Sequence, residues 1–315
     1  YAVRDGENFA VGAVNIIHRM KFITRLSFGA ETTNIQALYT AAHILEEENE
    51  AFRDALQSAL SEGKPFAAAQ AAGLAAAMDL AGADSLVSKP NNILGICYLR
   101  ALQRLQSEVL PLPVRRAGDF HSLELTPASY PSASAVRKAY LAGDIAAAEA
   151  ACGYAFEGAQ AHKPDALDSV LINTLRSLSP TELKRLPDCS EGLEHRLAKC
   201  AAMATSRAEL LDLLKTKRYT RARLNRLLTH ALLGVSAEQL ETNAQPSYVR
   251  LLGFRKDHES VLSHLNRAEI PVIAKASDGD LNDPLYRLDE RAYDLWALGA
   301  RLPAGLLYRQ QIAIE

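Results

Sequence analysis

The sequence predicts an α/β fold with a largely parallel sheet in its first half and a mostly α-helical second half. Strand-like segments alternate with helical segments up to about residue 144, an alternation typical of parallel sheets. Beyond that point helix signals follow one another with little strand character between them. We therefore expect two domains, residues 1–145 and residues 146–315.

The first three elements surround a glycine. Apolar residues recur at helical spacing from Glu7 to Met20, and KFITRLSFGAE then predicts a short buried strand ending at Gly29. A helix is expected from about Thr33 to Glu47. Because α/β sheets bind ligands at the carboxyl ends of their strands, Gly29 marks a candidate site where a backbone or nucleotide could come close.

Further helices and one strand complete the first half. Residues Asn49–Ala83 are alanine-rich and helical, with a break at Gly63–Pro65. SKPNNILGICYLRALQRL predicts a helix with Ser88 as its cap and Pro90 in its first turn. The stretch VLPLPVRRAG predicts an extended edge segment, because its prolines exclude a central strand.

The helix that begins in PSASAVRK carries two serines beside two cations. Ser132 and Ser134 offer hydroxyls, the helix start offers unpaired N–H groups, and Arg137 adds charge. This combination suits an anion such as phosphate. The alternative is an ordinary capped surface helix with solvated cations.

Capping motifs organise the second half. Ser179, Ser206 and Ser236 each precede a Glu or Gln by three residues, which predicts three helix starts. Gly234 follows LNRLLTHALLGV at the position of a helix C-terminal glycine. Late strands are expected only in YVRLLGF and IPVIAKA.

Positive charge is concentrated between residues 196 and 230. Nine Lys or Arg residues there face only Glu209 and Asp212, a surplus of 9 − 2 = 7. Its densest part, KTKRYTRARLNR, places Tyr219 among the cations. The longer stretch, SRAELLDLLKTK followed by a short turn and TRARLNRLLTHALLG, resembles a helix–turn–helix. Such a pattern suits phosphate contacts with base stacking, and a solvated helix face is the alternative.

Bulk composition narrows the protein class. The 315 residues are 48% hydrophobic, carry a formal net charge of −2, and include four cysteines without a CxxC pair or zinc spacing. No apolar run approaches the roughly 20 residues of a membrane span, and no secretory signal is evident. We expect a cytoplasmic protein with reduced thiols, no metal site and no membrane partner.

Four stretches together resemble the bacterial tRNA(Met) cytidine acetate ligases. They are RLSFGAE, SKPNNILGICYL, VRRAGDFHS…SASAVRK and EGLEHRLAKCA…ELLDLLKTKRYTRARLNRLLTHALLG. The resemblance implies a nucleotidyltransferase-like, Rossmann-like domain of the HxGH class followed by a helical tRNA-binding domain. It also implies that ATP, with Mg²⁺, and acetate form acetyl-adenylate, and that the wobble cytidine of elongator tRNA(Met) becomes N4-acetylcytidine.

The resemblance assigns ATP contacts by position. Gly29 matches the glycine of FG(S/A)E, Asn91 the first Asn of PNN, and Arg115 the Arg six residues before His121; Arg116 lies where Ile is commoner. An Asn amide pairs with an adenine edge, so Asn91 or its neighbour could read the base, with helix capping as the alternative. Arg115 would stabilise charge at the α-phosphate, or form a surface ion pair.

The remaining sites follow the same resemblance. Ser132, Ser134 and Arg137 would hold the triphosphate. His121 is better explained as a packed or hydrogen-bonding histidine than as a general base. The tRNA contacts would be made by the cations of the densest basic stretch, Lys215, Lys217, Arg218, Arg221 and Arg223.

Two other function classes stay open. A nucleotidyltransferase of cofactor biosynthesis would use the same phosphate-binding features, although the basic helices would then have no purpose. A non-catalytic RNA-binding protein would use the basic helices alone. The sequence does not indicate an oligomeric state.

One departure from the family concerns the first ATP motif. The HxGH motif is absent, and His18 in IIHRMKF has neither the second histidine nor the glycine. The sheet is therefore expected to be incomplete, and the catalytic residues stay unassigned. We expect the chain to be a fragment of a longer protein, with a degenerate copy of the family as the alternative. We predict that these 315 residues alone release little pyrophosphate from ATP and acetate. Steady pyrophosphate release in a coupled assay would contradict this.

Overall fold

The computed structural model describes residues 3–64, 66–78, 83–116, 124–125, 131–156, 163, 165–216 and 218–315. The elements up to residue 152 are α1 (Gly6–Met20), β1 (Arg25–Ala30), α2 (Ile35–Glu47), α3 (Glu50–Ser61), α4 (Phe66–Met78), α5 (Ala83–Ser88), α6 (Pro90–Arg104), β2 (Leu110–Arg115), α7 (Ala133–Leu141) and α8 (Ile145–Cys152).

The rest of the chain is mainly helical. Its elements are α9 (Asp168–Ser177), α10 (Pro180–Leu183), α11 (Leu193–Met203), α12 (Arg207–Leu214), α13 (Arg221–Leu233), α14 (Ala237–Thr242), β3 (Val249–Arg250), β4 (Gly253–Phe254), α15 (Val261–Leu265), β5 (Val272–Ile273), α16 (Pro284–Gly299) and β6 (Ala313–Ile314). An α/β unit followed by a helical region is confirmed.

Strands β1 and β2 form a parallel pair, as the alternation of elements predicts. Ala30 lies opposite Arg115, so both strands end at the same edge of the sheet. One face of this strand pair is buried, because Phe28 and Ala30 pack into the hydrophobic core of the first half of the chain, called the first core below. Gly95 of α6 allows this packing, since an added Cβ there would lie 2.6 Å from Cε2 of Phe28.

The prolines of β2 lie on the side of the strand that faces away from β1. Leu110 N–H donates to Thr24, and Arg116 N–H donates to Ala30, so even-numbered positions of β2 bond to β1. Backbone groups alternate sides along a strand, which places Pro111 and Pro113 on the other side. The predicted edge segment is therefore a real strand with two missing donors on its outer side.

Helix α6 holds the first core together through both apolar packing and charge. Its buried residues pack with β1, α1 and α2, and Leu99 is fully buried. Arg100 and Arg104 each pair with Glu7 of α1 and Glu46 of α2, at N–O distances of 2.7–3.3 Å. Hydrogen bonds from Arg104 hold the pKa of the Glu46 carboxyl below its ordinary value.

The second core lies among α9 to α13. Its larger fully buried members are leucines at helical spacing: Leu171, Leu175, Leu183, Leu193, Leu197, Leu210, Leu214, Leu224, Leu227 and Leu228. The two main cores fall on opposite sides of the predicted boundary at residue 145. However, α7 and α8 pack against each other across that boundary, and the division into 1–145 and 146–315 stays a prediction.

Most predicted caps are present. Reciprocal capping boxes begin α10 at Ser179 and α14 at Ser236, and Gly234 ends α13 with a φ of 61°. Ser206 caps α12, although the Glu209 carboxylate accepts from Thr205 rather than from the cap residue. The predicted cap at Ser88 is wrong, because Ser88 ends α5 and position Lys89 is the N-cap of α6.

The first helix also contacts the second half of the chain. Arg4 donates to the carbonyls of Leu240 and Asn243 at 2.9 and 2.8 Å. At the other end of α1, Arg19 donates to Pro246 and Glu269, both at 2.8 Å. These bonds to backbone carbonyls hold α1, and Arg4 just before it, against the second half of the chain.

Short strands complete the chain. Predicted segment YVRLLGF supplies β3 and β4, and IPVIAKA supplies β5, which pairs with β3. Strand β6 pairs with β4 and was not predicted. Within the described ranges, no helix combines the length and the apolar character needed to span a bilayer.

We predict that Leu99→Ala lowers the free energy of unfolding by about 2–5 kcal/mol, because it removes buried methyl groups and leaves a cavity in the first core. Ile93→Ala on the same helix, where the side chain is exposed, is the control and should change it by less than about 1 kcal/mol. Urea unfolding followed by circular dichroism measures both. Equal losses in the two variants would contradict the assigned core.

Candidate functional site

The candidate site lies where β1 ends and α6 begins. Residues Gly29 to Glu31 leave the carboxyl end of β1, and Asn91 and Asn92 occupy the first turn of α6. This arrangement follows from the sequence, since Pro90 favours a helix start and Gly29 ends an apolar strand. A strand end and a helix N-terminus thus meet at one edge of the sheet.

Glu31 joins these two segments. Its carboxylate accepts from Asn91 Nδ2 at 2.7 Å, from the Asn92 backbone N–H at 2.9 Å and from the Asn91 backbone N–H at 3.4 Å. A carboxylate from a distant segment therefore caps α6, where Ser88 had been expected. In return, Asn92 Oδ1 accepts from the N–H groups of Glu31 and Thr32 at 2.9 and 3.1 Å.

The environment of Glu31 favours its charged form. Partial burial raises the pKa of its carboxyl, but hydrogen bonds from the Asn91 amide and from the backbone N–H groups of Asn92 and Asn91 outweigh burial. The net pKa lies below the ordinary value. At neutral pH this carboxylate only accepts hydrogen bonds, so each group bonded to it must be the donor.

Arg116 covers Gly29. A Cβ added at Gly29 would lie 2.9 Å from Cδ and 3.0 Å from Cγ of Arg116, so the missing side chain makes room for the arginine stem. The guanidinium then donates from Nη1 to Asn91 Oδ1 at 3.1 Å. The structure thus brings together Gly29, Asn91 and Arg116, three of the four residues that the resemblance assigns as ATP contacts.

Arg115 is the last residue of β2 and lies opposite Ala30 in the sheet. It is exposed, and among the described residues its guanidinium makes no hydrogen bond or ion pair. The surface ion pair considered from the sequence is therefore not formed within the described part of the chain. Its place beside Arg116 leaves it at the same strand edge as Gly29.

The serine motif has a structural role. Ser132 is the N-cap of α7 and accepts from Ala135 N–H at 3.0 Å, while Ser134 Oγ lies 3.4 Å from Nη2 of Arg137. Helix α7 packs mainly against α8. His121 lies outside the described residues.

The predicted cations of the second half gather between α12 and α13. Arg218 pairs with Glu191 at 2.7 Å and Arg221 with Asp212 at 3.4 Å. Arg223 donates to Asp188 O and Ser190 Oγ. Lys215 Nζ donates to the Tyr219 carbonyl, and Lys217 lies outside the described residues. The carboxylates at 188 and 191 precede the window in which charge was counted.

Tyr219 is not presented for base stacking, and that part of the prediction is wrong. Only 6% of the residue is exposed, and its ring is part of the second core. Two guanidiniums cover it, with Cζ of Arg218 at 5.9 Å and Cζ of Arg223 at 5.3 Å from the ring centroid. The aromatic residue instead supports the cations above it through cation–π contacts.

Sequence reasoning missed Glu31 and its pairing with Asn92, which had been considered only as a reader of the base or a helix cap. The motifs FGAE and PNN contain both, but their pairing across 61 positions leaves no periodic signal. His18, by contrast, bonds through Nδ1 to Ser107 Oγ at 3.1 Å and has a packing role. Within the described ranges, no three His, Cys, Asp or Glu side chains form a group that could hold a metal ion.

Comparison with known proteins yields one family and consistent relatives. Residues 1–305 match the family described as HIGH Nucleotidyl Transferase. The tRNA(Met) cytidine acetate ligase of Clostridium perfringens strain SM101 is 30% identical over 310 residues, covering 94% of this chain and 77% of that protein. The ligase of the same name from Geobacillus sp. strain WCH70 is 31% identical over 307 residues, covering 93% and 75%.

Solved structures show the same fold. The apo crystal structure of Thermotoga maritima TmcAL superposes with a TM-score of 0.85 at 23% identity, covering 99% of this chain and 81% of that chain. The form of that protein bound with alpha-thio ATP gives a TM-score of 0.83 with the same coverage. These similarities confirm the nucleotidyltransferase fold.

Proposed function

Because this chain belongs to the HIGH nucleotidyltransferase family and, within it, to the tRNA(Met) cytidine acetate ligases, we propose that it binds ATP and tRNA for acetate-dependent acetylation of a cytidine. In the first step a carboxylate oxygen of acetate attacks the α-phosphorus of ATP. The bond to the β-phosphate breaks, and pyrophosphate leaves with that electron pair. In the second step the N4 amine of the wobble cytidine of elongator tRNA(Met) attacks the acetyl carbon, and AMP leaves.

One observation supports the nucleotide half of this proposal. Gly29, Asn91 and Arg116 come from three separate segments and converge at the carboxyl end of a parallel strand pair. That edge is where α/β folds bind nucleotides. Asn91 offers an amide to the base, and Arg115 offers an exposed guanidinium for charge at the α-phosphate.

The phosphate and metal assignments are part of the same proposal. Ser132, Ser134 and Arg137 lie at a helix N-terminus, which favours a phosphate group even though Ser132 Oγ already caps the helix. We treat Mg²⁺ as part of the ATP substrate, held mainly by its phosphates. A cytoplasmic location is consistent with these substrates and with four free cysteines.

The cationic surface between α12 and α13 supports the tRNA half. Lys215, Arg218 and Arg221 are exposed, and Arg223 lies beside them. Their partners are carbonyls, hydroxyls and partly exposed carboxylates, so the guanidiniums keep further donors for phosphate oxygens. Surface ion pairs of this kind are weak enough to be exchanged for phosphate contacts.

We predict that Gly29→Ala weakens ATP binding about tenfold, because a Cβ at this position displaces the Arg116 stem. Gly12→Ala in α1 is the matched control, since its added Cβ meets nothing within 4 Å and ATP affinity should not change. Isothermal titration measures both. Equal ATP affinities of the wild type and the Gly29 variant would show that this strand end is not part of the ATP site. If the wild type gave no saturable heat with ATP, the result would favour a protein that binds only RNA.

For the RNA half, we expect that replacing Lys215, Lys217 and Arg218 with Ala weakens tRNA binding. The slope of log K against log salt should fall by about one for each lost phosphate contact. The control replaces Lys256, Arg267 and Arg309, which removes the same charge from other surfaces. Filter binding between 50 and about 300 mM KCl gives the slopes. An unchanged slope in the first variant would contradict the tRNA contacts and support the alternative, that these cations form a solvated helix face.

A further inference from the structure

The Asn91 amide is held at both ends by groups of fixed hydrogen-bonding sense. The Glu31 carboxylate can only accept, and it lies 2.7 Å from Nδ2. The Arg116 guanidinium can only donate, and its Nη1 lies 3.1 Å from Oδ1. An amide turned by 180° would place oxygen against oxygen and nitrogen against nitrogen. The pair therefore allows one orientation.

A fixed amide distinguishes between nucleotide bases. Beyond these two bonds, Asn91 retains a second N–H and a second lone pair, arranged in a set order. Adenine presents an amine donor beside a ring nitrogen acceptor, which matches such an amide. Guanine presents two acceptors at the same edge, O6 and N7, so one of them would face Oδ1. An Asn91 amide that could turn freely would still lose one hydrogen bond to this edge of guanine. It could, however, also pair with the base in its other orientation, so it would discriminate less between the two bases.

Glu31 is itself fixed by the backbone around it. Its own N–H and that of Thr32 donate to Asn92 Oδ1, and Asn92 is 97% buried, at 3% exposure. The Asn92 backbone N–H returns a bond to the carboxylate at 2.9 Å. This closed set of bonds presents one carboxylate oxygen to Asn91 without requiring any contact between Glu31 and a ligand.

We propose that Glu31 is a positioning residue that orients the Asn91 amide and thereby makes the site prefer adenine over guanine nucleotides. This inference rests on the proposed ATP site. It adds a residue that acts through Asn91 and a reason for base selectivity. Arg116 supplies the second constraint on the amide.

Glu31→Gln tests the inference. A glutamine amide has only one acceptor oxygen, so it cannot accept from both Asn91 Nδ2 and the Asn92 N–H. If the oxygen keeps the bond to the Asn92 N–H, the glutamine NH₂ group faces Asn91, which can accept from it only by turning over and meeting Arg116 with its own NH₂ group. We expect the Kd for ATP to rise about tenfold, which corresponds to about 1.4 kcal/mol. The Kd for GTP should change less than about twofold. Isothermal titration with each nucleotide gives the ratio of the two constants.

A second variant separates positioning from the loss of a helix cap. Asn91→Ala removes the amide, so ATP and GTP should bind with similar affinity. In that background, adding Glu31→Gln should alter both affinities in parallel, because no amide is left to orient. Thermal unfolding of all four proteins records the structural effect of losing the cap, which should be equal in both backgrounds.

The outcomes are distinct. Parallel changes of ATP and GTP affinity in the Glu31→Gln variant, or ATP preference retained in Asn91→Ala, overturn the inference and leave the proposed function standing. If Glu31→Gln does not fold, Asn91→Ala alone decides whether the amide reads the base. A wild-type chain that binds ATP without preference over GTP overturns the inference, and one that binds no ATP overturns the proposed function as well.

Discussion

The reciprocal bonds between Glu31 and the first turn of α6 are the constraint on which the nucleotide site depends. A helix begins with N–H groups that have no partner inside the helix, and here a carboxylate from the end of β1 accepts two of them. Asn92 closes the circuit from the other side. Strand end and helix start are therefore held together by charge-assisted bonds, whose acceptor is ionised at neutral pH.

The sequence was informative where local chemistry decides the structure. Proline at position 90 and apolar spacing located α6, prolines in LPLPV located an edge strand, and Ser179 and Ser236 located helix starts. Those features need only neighbouring residues. The sequence was uninformative where partners are distant: the carboxylate that caps α6 lies about 60 residues earlier, and nothing in the spacing selects it over Ser88.

The basic region shows the same limit for charge and burial. Counting within residues 196–230 suggested nearly unopposed cations, but folding brings Asp188 and Glu191 against Arg226 and Arg218. Tyr219 stands among polar residues in the chain and yet belongs to the second core. Its ring packs against the guanidiniums of Arg218 and Arg223 through cation–π contacts and so helps to position them. The cations, and not the aromatic ring, are therefore the groups available to bind RNA.

The two prolines on the outer side of β2 have a consequence for the behaviour of the protein in solution. Leu110, Leu112 and Val114 are exposed along this strand, and an apolar strand of that kind is a common starting point for aggregation through β-pairing. Pro111 and Pro113 lack the N–H groups that an incoming strand would need. This safeguard is covalent, so neither acid, salt nor heat can switch it off while the chain is intact.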